Sequence, residues 1–460
     1  MSFCETTTLR AQFAARLSSL YGQEVPAYTT LVEISHEVNQ RVLARDGQKA
    51  ERLGSIDRVT AERHGAIRVG SPEEMAQVAR VFGALGMSPT GFYDLRDTQP
   101  QPVPVVSTAF RPIDRGELAK NPFRVFTSML VPEDRRFFGA DLQARLETFI
   151  GARRLFPDEL LTLADQAESD GGLPDDDADR FLELAAASFA LSTEPVDRAW
   201  YTELARISGV AADIGGVAST HINHLTPRVL DIDALYRTMQ ARGITMIDRI
   251  QGPPRWEGPD VLLRQTSFRA LDEPRFFRDP DGTVSEGALR VRFGEVEARG
   301  IALTPAGRDL YDAAVTAVDG RSTGQGRDPD EVAVEVWREM MPATERELFD
   351  RDLGYFNYRP APHQRQEQPP RTARELVDGG WLEVEPIVYE DFLPRSAAGI
   401  FASNLPLSGV MDAAQGGAKR DAAWLADRIG RPVITPEELY RAESERSLAQ
   451  SLRDIGLQTW

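Results

Sequence analysis

Five histidines serve a chain of 460 residues, and two of them stand at matching places in two similar stretches. HGAIRVGSPEEMAQVARVFGALG runs from His64 to Gly86, and HINHLTPRVLDIDALYRTMQARG from His221 to Gly243. Each reads as a short strand, a capped helix and a closing glycine, a βα unit used twice. A third stretch, GALRVRFGEVEARG from Gly287 to Gly300, places Glu295 and Glu297 on one face of a strand. Two neutral imidazoles and one carboxylate on rigid strands form the facial triad of non-haem Fe(II) oxygenases, which leaves coordination sites open for substrate and oxygen. His64 and His224 are the expected nitrogen ligands. Glu295 is the expected oxygen ligand, although parity alone leaves Glu297 open. His221 lies three residues before His224 and so faces the other side of a regular strand. His224 is preferred because it precedes its helix by the same distance as His64.

The elements that must hold these residues are legible around them. In the first copy, His64, Ala66 and Arg68 alternate with Gly65, Ile67 and Val69. Ser71-Pro72-Glu73-Glu74 is a capping box with proline at the first helical position, and Val78, Val81, Phe82 and Leu85 form the inward stripe. In the second, His224, Thr226 and Arg228 share a face, and Pro227 marks an edge or the end of regular pairing. Asp231 or Asp233 caps the helix that buries Leu235 and Met239.

Composition narrows the function. Against 53 Lys and Arg stand 71 Asp and Glu, a net charge of -18, which disfavours nucleic acid and anionic membrane as partners. A small anionic substrate then needs a local arginine cluster. One cysteine, Cys4, excludes an internal disulfide and any cysteine-based metal site. No long apolar run and no signal-like core is seen, so a cytoplasmic protein is expected.

Along the chain, residues 1–55 read as helical. A first βαβββ module follows at 56–134, with strands in 91–97, 103–112 and 123–131. Residues 135–213 read as an acidic helical insertion without chemistry, and 168–180 as an exposed turn and cap. A second module spans 214–305, with 249–256 as a connector, 261–271 as a central strand, 276–287 as a turn and 287–300 as the last strand. Residues 306–460 form a C-terminal α/β extension. His36 on a helix and His363 in a Pro/Gln-rich loop are read as bystanders.

Taken together, HGAIRV, HINHLTPR, LLRQTSF, FGEVEARG with ALTPAGRDLYD, and FLPRSAAGIF resemble the 2-oxoadipate dioxygenase/decarboxylase (2-hydroxyglutarate synthase) family. The resemblance implies an α+β, vicinal-oxygen-chelate fold in which paired βαβββ modules curl around one metal. It also implies an Fe(II) enzyme that converts 2-oxoadipate and O2 to (R)-2-hydroxyglutarate and CO2 in lysine catabolism. The site is similar to that of 4-hydroxyphenylpyruvate dioxygenase, whose metal glutamate precedes an arginine by four residues; Glu295 precedes Arg299 in that way. By the same resemblance Arg68 binds substrate, joined by Gln265, Arg395 and Ser396. Arg395 departs from the valine usual before SAAGIF and puts the preferred oxoacid in question. Two rivals remain: an isomerase or extradiol dioxygenase of the same fold using another metal, and a non-catalytic binding protein on that scaffold.

Overall fold

The computed structural model describes residues 2–98, 102–290, 292–322, 327–362, 370–394, 400, 403–404 and 415–457. Val291, His363, Arg395 and Ser396 lie outside the described residues.

After a short strand β1 (Phe3–Glu5), two long helices, α1 (Thr6–Glu24) and α2 (Pro26–Asp46), open the chain. Pro26 sits in the first turn of α2, where its missing N–H is no loss. Leu9, Phe13, Leu17 and Tyr21 recur at helical spacing and are buried, as are Leu31, Ile34 and Val38. The Tyr21 hydroxyl lies 3.0 Å from the carbonyl oxygen of Asn223 and 2.8 Å from that of Phe293, so α1 braces two segments that carry candidate ligands.

The short helix α3 (Ile56–Ala61) leads into β2 (Arg63–Val69), α4 (Pro72–Gly83), β3 (Ser88–Asp94), β4 (Val105–Arg111), α5 (Arg115–Lys120) and β5 (Arg124–Leu130). Ser71 caps α4 by accepting from the Glu74 N–H, and the Glu74 carboxylate reaches back to the Gly70 N–H at 2.6 Å. Gly86, at φ 68°, supplies the left-handed turn after the helix.

Helices α6 (Ala140–Ala152), α7 (Asp158–Asp170), α8 (Asp175–Ser188), α9 (Arg198–Ala205) and α10 (Gly209–Gly215) make up most of the next segment. The stretch at 168–180 is more than an exposed turn. It holds β6 (Gly172–Pro174), which pairs antiparallel with β1 and buries Leu173. A two-residue strand, β7 (Val196–Asp197), follows.

The second unit comprises β8 (His224–Pro227), α11 (Ile232–Ala241), β9 (Leu263–Ser267), β10 (Glu273–Arg278), β11 (Val284–Leu289) and β12 (Glu295–Arg299). Asp231 caps α11 through the Ala234 N–H at 2.9 Å, whereas Asp233 pairs with Arg264. Residues 246–251, of which 249–251 read as connector, bridge to β9 and the residue after it at Gln251–Gln265 and Met246–Phe268. The lateral order 246–251, β9, β12, β8 therefore repeats the order β3, β4, β5, β2 of the first unit. Antiparallel pairing of β2 with β8 joins the two, and β12 continues alongside β8 through the parallel bridge Arg228–Glu297.

The stretch 287–300 is not one strand. Its first residues belong to the β10–β11 hairpin, which peels off to pair with β7, and only β12 stays in the site layer. Of the turn expected over 276–287, only 279–283 is turn, with the Gly282 N–H 2.8 Å from the Asp279 carbonyl; 276–278 and 284–287 belong to β10 and β11, whose pairing extends the hairpin. Gly294 stands at the break because a Cβ there would come within 2.2 Å of the Phe268 ring.

Helices α12 (Pro305–Ser322), α13 (Pro329–Met340) and α14 (Glu345–Asp350) and strand β13 (Phe356–Pro360) follow, then α15 (Ala373–Asp378) and β14 (Leu382–Pro386). They enclose a second core around Tyr311, Trp337, Phe349 and Phe356. β13 and β14 pair antiparallel, and an Ile301–Val388 bridge draws residues 390–392 toward β2 and β12. Helices Ala422–Ile429 and Pro436–Asp454 complete the α+β architecture. Among the described residues no helix is long and apolar enough to cross a membrane.

Candidate metal centre

His64 on β2 and His224 on β8 are diagonal neighbours. His64 lies opposite Thr226, and His224 opposite Ala66, so both rings leave the same face of the sheet. Glu295 opens β12, the next strand along. One ligand atom from each of the three lies within 4.8 Å of the other two. The His64 Nε2 is 3.4 Å from Glu295 Oε2, and the His224 Nδ1 is 3.3 Å from Glu295 Oε1. All three side chains are buried.

Burial of these groups is costly unless something satisfies them. Neither ring nitrogen of His224 has a hydrogen-bond partner among the described residues. Burial, reinforced by the neighbouring His64, holds the His224 imidazole well below its ordinary pKa and therefore neutral, the form that binds a metal. Burial pushes the Glu295 carboxyl up, with Glu297 adding to that rise against the pull of His64. A divalent cation would reverse that penalty and fill the orphaned His224 nitrogen. The donor set of two imidazoles and one carboxylate fits iron(II).

Glu297 shares a face with Glu295 but does a different job. It lies beyond His64, with Oε2 3.0 Å from the His64 Nδ1, and accepts from Arg299 Nε at 2.7 Å. Burial would raise its pKa; Arg299 and His64 instead bring it down to about 2. Burial would likewise lower His64, but the charge of Glu297 and contacts to both glutamates raise it. Behind Glu297 lies a buried lattice: Arg124 Nη1 is 2.8 Å from Glu62, Arg124 Nη2 is 2.6 Å from Glu390, and Arg228 Nη1 is 3.0 Å from Glu62.

Arg68, four residues beyond His64 on β2, is buried and forms an ion pair with Asp213 of α10. Asn223 Nδ2 donates to the same carboxylate at 2.9 Å and lies 3.0 Å from His221 Nε2. His221 is thus outside the metal trio, buried against Asp213 at 3.3 Å. Its segment precedes β8 and is not part of the strand. The helical insertion, read as free of chemistry, delivers Asp213 to Arg68. Gln265 on β9 is buried and opposite Glu297 in register. Phe392 packs edge-on to His64, ring centroids 4.9 Å apart, and Phe293 lies 5.4 Å from His224. Neither aromatic was singled out in the sequence.

A model of the 2-oxoadipate dioxygenase/decarboxylase family matches residues 13–404, most of the chain. The chain belongs to that family. A relative from Mycobacterium tuberculosis (strain H37Rv), named 2-oxoadipate dioxygenase/decarboxylase, is 56% identical over 438 residues, 95% of this chain and 97% of that protein. A protein of the same name from Pseudomonas putida is 40% identical over 470 residues, covering 99% and 98%. The crystal structure of the Pseudomonas putida hydroxyglutarate synthase in complex with 2-oxoadipate matches with a TM-score of 0.85 at 38% identity, over 99% of this chain and 100% of that one. A putative glyoxalase superfamily protein from Ralstonia eutropha matches at a TM-score of 0.50 and 21% identity, over 65% of this chain and 84% of that one. At that identity the likeness is one of fold.

Proposed function

We propose that this chain is an iron(II)-dependent 2-oxoadipate dioxygenase/decarboxylase that uses O2 to form (R)-2-hydroxyglutarate and CO2, a cytoplasmic step of lysine breakdown. The observation that carries the reading is the buried His64, His224 and Glu295 trio in a chain of this family. Residues 56–134 and 214–305 act as the paired modules, with 1–55, 135–213 and 306–460 packed around them.

Iron(II) held there would supply open coordination positions at which a 2-oxo acid and O2 meet. The chain's own residues do the rest. His64, His224 and Glu295 hold the cation. Phe293 and Phe392 keep water from the two imidazoles. Arg68 lies roughly 13 Å along β2 from His64, a span that suits a six-carbon diacid lying between them. Its planar fork suits the distal carboxylate. Gln265, on the same face as the glutamates, assists, and Arg395 and Ser396 complete the substrate contacts.

The test is oxygen uptake and CO2 release by the iron-loaded protein across 2-oxo diacids of different length. Uptake greatest with 2-oxoadipate, with 2-hydroxyglutarate formed, supports the reading. Full iron loading with no uptake on any 2-oxo diacid would overturn it and leave a non-oxidative use of the same metal site.

A further inference from the structure

We propose that Glu297 is the positioning residue of the metal centre: it fixes the tautomer and ring orientation of His64 and so sets the affinity for the cation. The proposal rests on the reading of His64, His224 and Glu295 as metal ligands.

His64 has two nitrogens and two faces to serve. Its Nε2 points at Glu295, 3.4 Å away, inside the trio. Its Nδ1 points the other way, to Glu297 Oε2 at 3.0 Å. Both atoms are buried and neither makes a hydrogen bond of regular geometry among the described residues, so the 3.0 Å contact is the one each offers the other. A proton on Nδ1 satisfies both and leaves the Nε2 lone pair facing Glu295 and the cation. The opposite tautomer would set a lone pair against a carboxylate in a buried site, a repulsion at short range.

Glu297 is itself immobilised. Arg299 contacts its Oε1 at 2.7 Å and Arg124 at 3.5 Å. Both guanidiniums also meet Glu62, Arg299 Nε at 2.9 Å and Arg124 Nη1 at 2.8 Å, and Arg124 reaches Glu390 at 2.6 Å. The carboxylate is therefore held in place and cannot swing into the trio to replace Glu295. His224 has no second carboxylate behind it among the described residues: its Nδ1 faces Glu295 at 3.3 Å, inside the trio, and its ring packs against His64 and Phe293. The two imidazoles are thus unequal: His64 is set in advance, and His224 adjusts as the cation enters. A carboxylate behind a metal-bound histidine typically raises metal affinity about 10–100-fold.

The experiment measures Zn(II) affinity by competition with a chromophoric chelator, together with imidazole 15N shifts of the metal-free protein. Wild type is expected to bind one equivalent, and Glu295→Ala to abolish tight binding. Failure of either defeats the reading of the trio as ligands. Given that baseline, Glu297→Ala should bind Zn(II) about 10–100-fold more weakly, and Glu297→Gln, which keeps an acceptor oxygen, should recover part of the loss. Unchanged affinity in Glu297→Ala overturns the proposal. The wild-type spectrum keeps the test open should both variants fail to fold: recorded at a pH where the ring is neutral, His64 must carry its proton on Nδ1, and a neutral ring with its proton on Nε2 refutes the assignment.

Discussion

Arg68 and Asp213 give the sharpest perturbation, because one pair joins folding to substrate choice. Both side chains are buried and joined in an ion pair, with Asn223 and His221 completing the shell of Asp213. Removing one partner of such a pair strands the other charge in low dielectric and costs about 3–5 kcal/mol of stability. Arg68→Gln and Asp213→Asn should each show a loss of that order in urea unfolding. The double variant should lose less than the sum, with a coupling of about 1–3 kcal/mol. Catalysis separates the two residues. If Arg68 holds the distal carboxylate, the Arg68→Gln/Asp213→Asn protein, relieved of the stranded charge, should still lose about 2–4 kcal/mol of transition-state binding. That is roughly 30–1,000-fold in kcat/KM on 2-oxoadipate. A six-carbon 2-oxo monoacid, which lacks the distal carboxylate, should be turned over equally by wild type and the double variant. Steady-state oxygen uptake with both substrates at full iron occupancy is the assay. A double variant that handles 2-oxoadipate like wild type would remove Arg68 from the substrate site.

Three further outcomes follow from the same geometry. His224→Ala should lose metal binding while His221→Gln keeps it; chelator competition that ranks them the other way would reassign the ligand. Burial, helped by Arg292, Arg68 and Arg275 against the pull of Asp213, lowers the His221 pKa to about 4. Between about 4 and its unfolded value of about 6.5 the unfolded chain binds the extra proton, so stability rises with pH through that window. About 3 kcal/mol is present above it and lost as the pH falls toward 4. Urea unfolding at pH 7 and pH 5 should show this dependence reduced in His221→Gln, and identical pH dependence would refute it. Arg124→Met takes one positive charge out of the buried lattice, leaving Glu62 to Arg228 and Arg299 and Glu390 to Arg58, and should cost about 3–5 kcal/mol, with a loss under about 1 kcal/mol counting against the lattice.

Local signals carry far in this chain, and they carry the elements that hold the site. Alternation at His64–Val69 and at His224–Thr226, the caps Ser71 and Asp231, and the closing glycines Gly86 and Gly243 are each decided within a few residues, by sterics and by backbone groups that must be satisfied. Where two elements look alike locally, the sequence was silent. It showed strand character through 287–300, but only packing against β7 and Phe268 splits that run into a hairpin and β12.

The division of labour between Glu295 and Glu297 is likewise tertiary. Both have the same parity, so the strand alone treats them alike; the neighbours differ, imidazoles for one and Arg299 with Arg124 for the other. Asp213 meets Arg68 across 145 residues of sequence, and Phe392 reaches His64 only because the C-terminal strands fold back over β2. Residue type and spacing determined which side chains were able to bind a metal and which strands would carry them. Only the folded chain decided which charges face one another, because burial gives an ion pair its strength, and burial belongs to the tertiary structure.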